Sequence, residues 1–299
     1  MSETFLVASP MGPGKQATVI GAALATPYVD RDPHATGSPK AIRAASQRLA
    51  RFVGHHDFDT GVAFAPWLDK LGDAGDVDTD ASDPEGNRQR IESALVDLLV
   101  DGSMPILLGG DDSVAIPFIA AWREHGPITV VQLDAHLDFR DAVGGNRFGY
   151  SSPMRRASES AWVRRIIHIG QRGVGSARPG DLQDSLEAGN TIVTAREFAA
   201  HGVAATAELL DAAEPFVIVL DVDAIDPAQV PSVRAPVAAG PSVATVSDLS
   251  ASLAERGSFR GLVVTEFEPE LDPTGASALI LVRLIGRLLD TGLAKQHQP

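Results

Sequence analysis

The sequence predicts an α/β protein built on a mainly parallel β-sheet, and three observations support this fold class. Short apolar runs alternate with amphipathic helical patterns along the chain, which is typical of strand–helix units. The runs at 128–133 and 215–220 are almost continuous in Val, Ile and Leu, as expected for strands covered on both faces. No internal repeat, low-complexity tract or change in composition divides the 299 residues, so we expect one domain spanning 1–299.

Six apolar runs are predicted to be strands of this sheet. In chain order they are Ile106–Leu108, Thr129–Leu133, Ile166–Ile169, Thr191–Val193, Phe216–Leu220 and Leu262–Thr265. Each run is short and bounded by polar or glycine-containing segments, as strands of this class are.

Three segments are predicted to be helices, namely Pro39–Phe52, Arg90–Leu99 and Thr274–Leu289. In the second segment Ile91, Leu95 and Leu98 fall on one face, which indicates an amphipathic helix. Pro39 suits the first turn of its helix. The polar segment Asp80–Asn87 contains DPEGN and is predicted to be a surface turn.

The charge balance argues against a nucleic-acid partner. The net charge is −14, which opposes binding to a phosphate backbone. The densest basic group, formed by Arg155, Arg156, Arg164 and Arg165, is expected to be a solvated face.

The composition also limits the chemistry and the compartment. The chain has no cysteine, which excludes disulfides, thiolate ligands and a cysteine nucleophile. No secretory signal or membrane-spanning run is visible, so we expect a cytoplasmic protein without a membrane partner.

Acidic residues follow four of the predicted strands at the point where each strand ends. These strand ends read GGDDS at 109–113, DAHLD at 134–138, DVDAIDP at 221–227 and EFEP at 266–269. Open parallel sheets place ligand sites beyond the carboxyl ends of their strands. The four strand ends are therefore expected to direct acids and one histidine into one crevice.

A cluster of carboxylates of this kind indicates a metal centre. Like charges a few ångströms apart resist joint ionisation unless cations neutralise them. Oxygen-rich ligands with one imidazole suit Mn²⁺ or a comparable divalent ion, and two aspartates able to bridge indicate two ions that share one water. A lone Asp-x-Asp after a strand is more often a turn or a helix cap. Asp134, His136 and Asp138 form a sharper motif, because spacing of two in extended chain turns all three groups to one side.

The ordered set of motifs resembles the ureohydrolase family, which includes the arginases and agmatinases. The resemblance rests on the four strand ends, with TEFEPELDPTG at 265–275, and on GSPKAIRAAS at 37–46, GDAGDV at 72–77 and IGQRG at 169–173. SSPMRRA at 151–157 and LDPTG at 271–275 are closer to the agmatinase-like branch than to arginase. The resemblance implies a three-layer α/β/α sandwich, commonly assembled as a homotrimer or homohexamer.

The resemblance also implies hydrolysis of a small guanidino compound to urea and an amine at two Mn²⁺ ions. Asp134 and Asp221 would bridge the two ions. Asp112 and Asp138 would complete the coordination of one ion, and His136 and Asp223 would complete that of the other. A hydroxide between the ions would attack the guanidinium carbon. Glu266 would hold the guanidinium nitrogens, and Asp138 would orient the hydroxide and help pass its proton to the leaving amine. The sequence leaves the metal open, since Ni²⁺ or Co²⁺ suits the same ligands.

Position 112 departs from the family pattern GGDHS, in which a histidine ligand stands where this chain has Asp112. An aspartate can also bind Mn²⁺, although its shorter reach requires a local backbone adjustment. The added negative charge would make that ion a weaker Lewis acid and raise the pKa of its bound water. The alternative is that Asp112 only caps the following helix and that one metal is weak or absent.

Two further departures concern the substrate pocket. Tyr150 stands where many relatives have a proton-shuttling histidine, and because a phenol has a pKa near 10 it is expected to line the pocket or donate a hydrogen bond. The loop PSVRAPVAAG at 231–240 replaces a segment that is often rich in Gly and Thr. Its Arg234 either approaches the substrate channel, where it would favour an anionic tail such as that of guanidinobutyrate, or lies on the surface or at a subunit contact. His34 could edge the pocket, and His168 is expected to be a packed, hydrogen-bonded residue.

Other functions stay open at this point. A catalytically weak subunit with a structural or regulatory role in a hetero-oligomer would explain the departures at Asp112 and Tyr150. Such a chain, however, has no need for six chemically active groups that face one crevice, namely Asp134, His136, Asp138, Asp221, Asp223 and Glu266. Hydrolysis of a formimino or other amidine substrate uses the same chemistry. A single-zinc amidohydrolase is disfavoured by the ligand-rich second side of the site. Metal content distinguishes the enzyme from the structural subunit.

Overall fold

A computed structural model describes residues 4–175 and 177–295, and within these ranges nine strands form one parallel sheet. In chain order they are β1 (Ser9–Pro10), β2 (Ala17–Ala22), β3 (Leu71–Asp76), β4 (Met104–Gly109), β5 (Ile128–Leu133), β6 (Val163–Ile169), β7 (Thr191–Val193), β8 (Pro215–Asp221) and β9 (Ser258–Thr265). Their order across the sheet is β1-β3-β2-β4-β9-β8-β5-β6-β7. Every neighbouring pair in this order is parallel.

Helices cover both faces of the sheet. They are α1 (Ser38–Ala50), α2 (Pro84–Val100), α3 (Ala115–Ala120), α4 (Pro153–Ser158), α5 (Pro179–Glu187), α6 (Ala195–Ala207), α7 (Val243–Arg256) and α8 (Ala276–Lys295). Buried side chains of α1, α6, α7 and α8 form one apolar core with the sheet, and those of α2, α3 and α4 form a second. In β8, Ile218 and Leu220 belong to the first core and Val217 and Val219 to the second, as the alternation of a strand requires. The predicted three-layer α/β/α fold is confirmed.

The predicted elements are present, and the structure adds several that the sequence did not indicate. All six predicted strands are found, most of them one to four residues longer than predicted. The strands β1, β2 and β3 were missed, since β3 reads LGDAGD and β2 reads ATVIGA, and neither is a run of large apolar residues. Helices α3 to α7 were also missed, and α1 ends at Ala50 rather than at Phe52. The predicted apolar face of Ile91, Leu95 and Leu98 is confirmed, because all three are buried.

Two surface predictions are only partly correct. The segment Asp80–Asn87 is not wholly a turn, because α2 begins at Pro84 after Asp83 accepts a hydrogen bond from the backbone N–H of Gly86. Asn87 is fully buried and donates to the carbonyl of Asp80 at 2.7 Å. The basic group is not simply a solvated face either, since Arg156 is buried and is paired with carboxylates.

A buried ion pair joins α1 to β3 and connects two of the sequence landmarks. Arg43, from GSPKAIRAAS, donates through Nε and Nη2 to the two carboxylate oxygens of Asp73, from GDAGDV, at 2.9 and 3.0 Å. It also donates to Asp76 and to the carbonyl of Gly75. The side chains of Arg43 and Asp73 are 3% and 1% exposed, so the pair is out of water.

The strands that end in acids are neighbours. β4, β9, β8 and β5 are consecutive in the middle of the sheet. Because all four run in the same direction, their carboxyl ends open onto one edge of the sheet. The fold thus brings four acid-bearing loops together that are up to about 150 residues apart in the chain.

Candidate metal centre and active site

The four acid-bearing loops surround a cavity of about 340 Å³ at this edge of the sheet. Eight of the nine predicted site residues line it: Asp112, His136, Asp138, Tyr150, Asp221, Asp223, Arg234 and Glu266. The ninth, Asp134, is fully buried and contacts the lining residue His136. His34, Arg31 and Arg140 also line the cavity.

The potential metal ligands form two groups that share one residue. Ligand atoms of Asp134, His136 and Asp223 lie within 4.8 Å of one another, and so do those of Asp112, Asp134 and Asp138. Asp134 belongs to both groups, so its carboxylate is close to the potential ligands of each. Asp221 belongs to neither group, although it is 2% exposed and lines the same cavity.

The structure separates the roles of the two adjacent aspartates in GGDDS. Asp111 caps the turn that follows, accepting a hydrogen bond from the backbone N–H of Ser113 at 3.0 Å. Asp112 is therefore not the cap, contrary to the structural alternative drawn from the sequence. Its Oδ1 accepts from the hydroxyl of Thr265 at 2.8 Å, and its Oδ2 is buried without a hydrogen-bond partner among the described residues. A buried carboxylate oxygen that lacks a donor is suited to binding a cation.

The expected extended conformation of DAHLD is wrong, although its three side chains do converge. Residues 134–138 lie outside β5, and the chain bends where the backbone N–H of His136 donates to Asp134 Oδ1 at 2.6 Å. Asp138 has a φ of 45°, a left-handed conformation that is uncommon outside glycine. Glu266 shares this feature, with a φ of 63°. Such conformations cluster at functional sites, where the surrounding structure maintains them.

Electrostatics in the cluster favour added positive charge. Burial, reinforced by neighbouring carboxylates, raises the pKa of Asp112, Asp134 and Asp221 well above the usual range. Burial likewise raises the pKa of Asp138 to about 7. The pKa of His136 rises to about 9, because the hydrogen bond and charge of Asp223 outweigh the opposing effect of burial. Divalent cations would remove this strain by replacing protons between the carboxylates.

Asp134, the residue common to both groups, is held by a buried chain of polar side chains. Gln132 donates through Nε2 to Asp134 Oδ2 at 2.6 Å, and its Oε1 lies 2.5 Å from His168 Nδ1. The other ring nitrogen of His168 lies 3.2 Å from the hydroxyl of Ser185. Burial lowers the pKa of His168 to about 3, so its ring is neutral and Nδ1 donates to Gln132. The expectation of a packed, hydrogen-bonded His168 is confirmed, and its link to the cluster is new.

Glu266 is fixed on both of its oxygens. Its Oε1 accepts from the backbone N–H of Asp112 at 2.9 Å, and its Oε2 lies 2.8 Å from His34 Nε2. The pKa of His34 is raised, because its hydrogen bond with Glu266 and the charge of Glu266 outweigh the opposing effect of burial. Sequence reasoning placed His34 only at the pocket edge. The pairing was not visible because the two residues are 232 positions apart and share no motif.

Tyr150 lies in an aromatic and cationic part of the wall. Its hydroxyl accepts a hydrogen bond from Arg31, and its ring contacts Tyr28 and His34 edge-on at centroid distances of 4.6 and 5.1 Å. Burial raises the pKa of Tyr150, although Arg31 opposes the shift. A neutral phenol engaged in this way fits the expected pocket wall.

The loop that carries Arg234 is tied to the site by Arg172 from IGQRG. The Arg172 guanidinium donates to the carbonyls of Val237 and Asp223, both at 2.8 Å. It also donates to the carbonyl of Ala224 at 3.0 Å. Arg234 itself is exposed and lines the cavity, so it approaches the channel rather than a remote surface.

The donor set fits a pair of divalent metal ions. Four aspartates and one imidazole form the two ligand groups, and Asp221 adds a fifth carboxylate on the cavity wall. The shared Asp134 could contact two ions at once, and Asp112 offers an oxygen with no other partner among the described residues. A parallel α/β sheet with such a donor set at the carboxyl ends of its strands fits the class of metal-dependent hydrolases.

Comparison with known proteins assigns the chain within this class. The model of the Arginase family matches residues 15–290. Guanidinopropionase from Pseudomonas aeruginosa is 32% identical over 263 residues, covering 84% of this chain and 79% of the relative. Proclavaminate amidinohydrolase from Streptomyces clavuligerus is 30% identical over 291 residues, covering 94% and 89%. The solved structure of a proclavaminate amidinohydrolase from that organism has a TM-score of 0.84 and 27% identity, covering 98% of this chain and 97% of its own.

A relative with a different substrate is also similar to this chain. Formimidoylglutamase from Citrobacter koseri is 26% identical over 257 residues, covering 84% of this chain and 77% of the relative. The chain belongs to the arginase family, and the predicted ureohydrolase resemblance is confirmed. It is thereby an enzyme of the amidinohydrolase class, whose members cleave C–N bonds of guanidino and amidino compounds. Within the described residues, no helix has the length and apolar character needed to cross a membrane.

Proposed function

We propose that the protein hydrolyses a small guanidino compound to urea and an amine, using two divalent metal ions. The observation that carries this proposal is the pair of ligand groups sharing Asp134, in the same cavity as Glu266. The relatives named guanidinopropionase and proclavaminate amidinohydrolase support a guanidino substrate. Mn²⁺ suits the oxygen-rich ligands best, with Ni²⁺ and Co²⁺ as alternatives.

The proposed ligands are those that the resemblance implied. Asp134 and Asp221 would bridge the ions, Asp112 and Asp138 would complete one shell, and His136 and Asp223 would complete the other. The two ligand groups have this composition apart from Asp221, which supports the division. When bound, the ions supply a nucleophile from water at neutral pH and stabilise the charge that develops during attack.

The chain's own residues would position the substrate and move the proton. Glu266 would accept hydrogen bonds from the guanidinium nitrogens, and its orientation is preset by the backbone N–H of Asp112. His34 contacts the same carboxylate, so it would share Glu266 with the substrate. Addition of water to the guanidinium carbon forms a C–O bond, and collapse of the tetrahedral adduct then breaks the C–N bond to the alkyl-bearing nitrogen and leaves urea. Asp138 would carry the proton that this nitrogen needs to leave as an amine.

The test is urea release from protein reconstituted separately with Mn²⁺, Ni²⁺ and Co²⁺. The panel comprises agmatine, guanidinobutyrate, guanidinopropionate, arginine, free guanidine and an N-alkylated guanidine. We expect strong turnover of one member. Glu266→Gln should lower kcat/KM by about 10- to 100-fold with two ions still bound, since a charge-assisted hydrogen bond is lost. Glu208→Gln, which removes an exposed carboxylate at the carboxyl end of α6 that does not line the cavity, is the control.

The other outcomes of this assay are informative. No urea from any member, despite two bound ions per chain, would indicate a different amidine substrate. No urea and substoichiometric metal would favour the structural or regulatory subunit.

Hydrolysis of a formimino compound is the second candidate, supported by the similarity to formimidoylglutamase. The same attack on a formimino carbon would release formamide and an amine rather than urea. Assaying formamide beside urea with the same protein therefore separates the two candidates.

We also propose a homotrimer or homohexamer, as the resemblance implies. The exposed aromatic residues Phe52 and Phe58, which line one surface cavity, support an association surface. Light scattering coupled to size-exclusion chromatography measures the subunit number, and a monomer at all concentrations would contradict the proposal.

A further inference from the structure

The cavity has an inner part lined by buried carboxylates and an outer part lined by arginines, and the proposed hydrolysis uses only the carboxylates. Its acids are buried, with Asp112, Asp221 and Asp223 no more than 3% exposed. Arg31 and Arg234, by contrast, are exposed residues on the wall of the same cavity. Arg140 adds a third guanidinium, whose side chain is 15% exposed. A chain with a net charge of −14 thus places three arginines around the outer part of one acidic cavity.

These arginines are not neutralised by neighbouring carboxylates. Over residues 4–175 and 177–295, neither Arg31 nor Arg234 lies within 4.0 Å of an acidic oxygen. Arg31 instead donates to the hydroxyl of Tyr150. Arg140 has only a loose ion pair, with its Nε 3.6 Å from Asp181 Oδ2, which is longer than a hydrogen bond. The guanidinium groups therefore keep donors available for a ligand.

Contacts also restrain the Arg31 side chain and the loop that carries Arg234. The Arg31 guanidinium lies 5.8 and 5.9 Å from the ring centroids of Tyr28 and Tyr150, which limits its movement. Arg234 follows the buried residue Val233 in the loop that Arg172 anchors through the carbonyl of Val237. Pre-organised cations lose little conformational entropy when they bind an anion.

We propose that the substrate carries an anionic tail, a carboxylate joined to the guanidinium by a short aliphatic chain, and that Arg31, Arg140 and Arg234 bind this carboxylate. This inference rests on the proposed function, because it takes the guanidinium to be bound at Glu266. The planar fork of an arginine matches a carboxylate through two parallel hydrogen bonds. A cationic tail such as the ammonium of agmatine would meet three like charges in the same place. Specificity would then arise from both attraction of the acid and repulsion of the amine.

Three ligands that differ mainly at the tail test this inference. They are 4-guanidinobutyrate with a carboxylate, its primary amide with a neutral group of the same shape, and agmatine with an ammonium. For the metal-loaded enzyme we expect kcat/KM to fall in that order, with the acid at least 10-fold better than the amide. Equal values for acid and amide, or a preference for agmatine, would overturn the inference.

Variants assign the effect to the arginines. Arg234→Gln and Arg31→Gln should each lower the acid-to-amide ratio about 10-fold, mostly through KM, because a charge-assisted contact to the tail is lost. Arg234→Glu should shift the preference toward agmatine. Arg260→Gln, an exposed arginine at the start of β9 on the opposite edge of the sheet, should leave the ratio unchanged. If the cavity variants behave like Arg260→Gln, the arginines do not bind the tail.

A binding measurement separates failure of this inference from failure of the proposed function. Calorimetric titration of the metal-loaded protein with the same three ligands measures tail preference even when none is hydrolysed. Binding that favours the acid without urea release would contradict the guanidino hydrolase and retain the anion site, which a formimino acid would also occupy. Urea release with no preference for the acid would retain the hydrolase and overturn the anion site.

Discussion

Replacing Asp112 with asparagine tests whether this residue is a metal ligand or only a structural acid. If it is a ligand, the substitution lowers the stability of the metal-loaded protein. If it is only a structural acid, the substitution raises stability with and without metal. The carboxylate is 1% exposed, and Thr265 donates to its Oδ1, a contact that an amide oxygen retains. Oδ2 has no partner among the described residues and lies in a group of carboxylates that includes Asp134 and Asp138. An unsatisfied buried polar atom costs about 1–3 kcal/mol. The amide nitrogen of Asp112→Asn is a donor among acids, so metal-free protein should gain about 1–3 kcal/mol in its free energy of unfolding.

In metal-loaded protein the sign reverses. One ion at a free concentration 1,000 times its Kd adds about 4 kcal/mol, and two ions add about 8 kcal/mol. If Asp112 is a ligand, its loss removes most of one contribution, about 4 kcal/mol. At roughly 2 °C per kcal/mol for a chain of this size, the rise in Tm on adding Mn²⁺ should fall from about 16 °C to about 8 °C.

Differential scanning calorimetry of metal-free and Mn²⁺-loaded protein measures both changes. Asp111→Asn is the matched control, since Asp111 is equally buried but caps the turn through Ser113. It should change stability by the same amount with and without metal. An Asp112→Asn variant that keeps the full rise in Tm would refute the reasoning and remove Asp112 from the ligand set.

Three further predictions concern support for the site and the fold. Gln132→Leu removes the donor that holds Asp134 and should weaken metal binding by about 10- to 100-fold in a chelator competition titration. Arg43→Met leaves Asp73 buried without its partner and should lower the free energy of unfolding by about 3–5 kcal/mol in urea denaturation. Burial raises the pKa of Asp290 to about 6, so its ionisation opposes folding. Below pH 4 the carboxyl is neutral and does not lower the free energy of unfolding, whereas its ionisation lowers that free energy as the pH rises through 6. Asp290→Asn should therefore match the wild type at pH 4 and exceed its stability at pH 8 by about 1–2 kcal/mol, a value reduced for partial exposure.

The central strands could be predicted because their sequences are dictated by burial on both faces. β5 and β8 are nearly continuous in branched apolar residues, and a strand covered by helices on both sides requires this composition. β3 could not be predicted in the same way, because LGDAGD contains two aspartates. Its strand is stabilised by a partner distant in sequence, Arg43 on α1, which neutralises Asp73. Local patterning cannot show a contact of that kind.

The candidate ligands could be predicted because, in a parallel sheet, the position of a residue relative to the end of a strand determines where it lies in the fold. Any acid just after a central strand must lie at the carboxyl edge of the sheet, so no knowledge of contacts was needed. No such rule applies to the residues that contact Glu266 and Tyr150 from outside the four strand ends. His34 reaches Glu266, and Arg31 reaches Tyr150, from a loop that precedes α1 and carries no motif of its own.

The backbone conformation of residues 134–138 also could not be predicted from the sequence. The spacing of Asp134, His136 and Asp138 correctly predicted convergence, but through an extended chain that does not exist. The structure achieves the same convergence with a bend at His136 and a left-handed Asp138. Spacing constrains which side chains can meet, whereas the path between them depends on the contacts of the folded loop.

The most direct test of the proposed dinuclear site is anomalous X-ray diffraction, at the manganese edge, from crystals of Mn²⁺-loaded protein. We expect two anomalous peaks per chain, one on each side of the Asp134 carboxylate, with Asp112 and Asp138 at one peak and His136 and Asp223 at the other. A single peak, or two peaks that do not share Asp134, would contradict the two-ion site and with it the proposed mechanism.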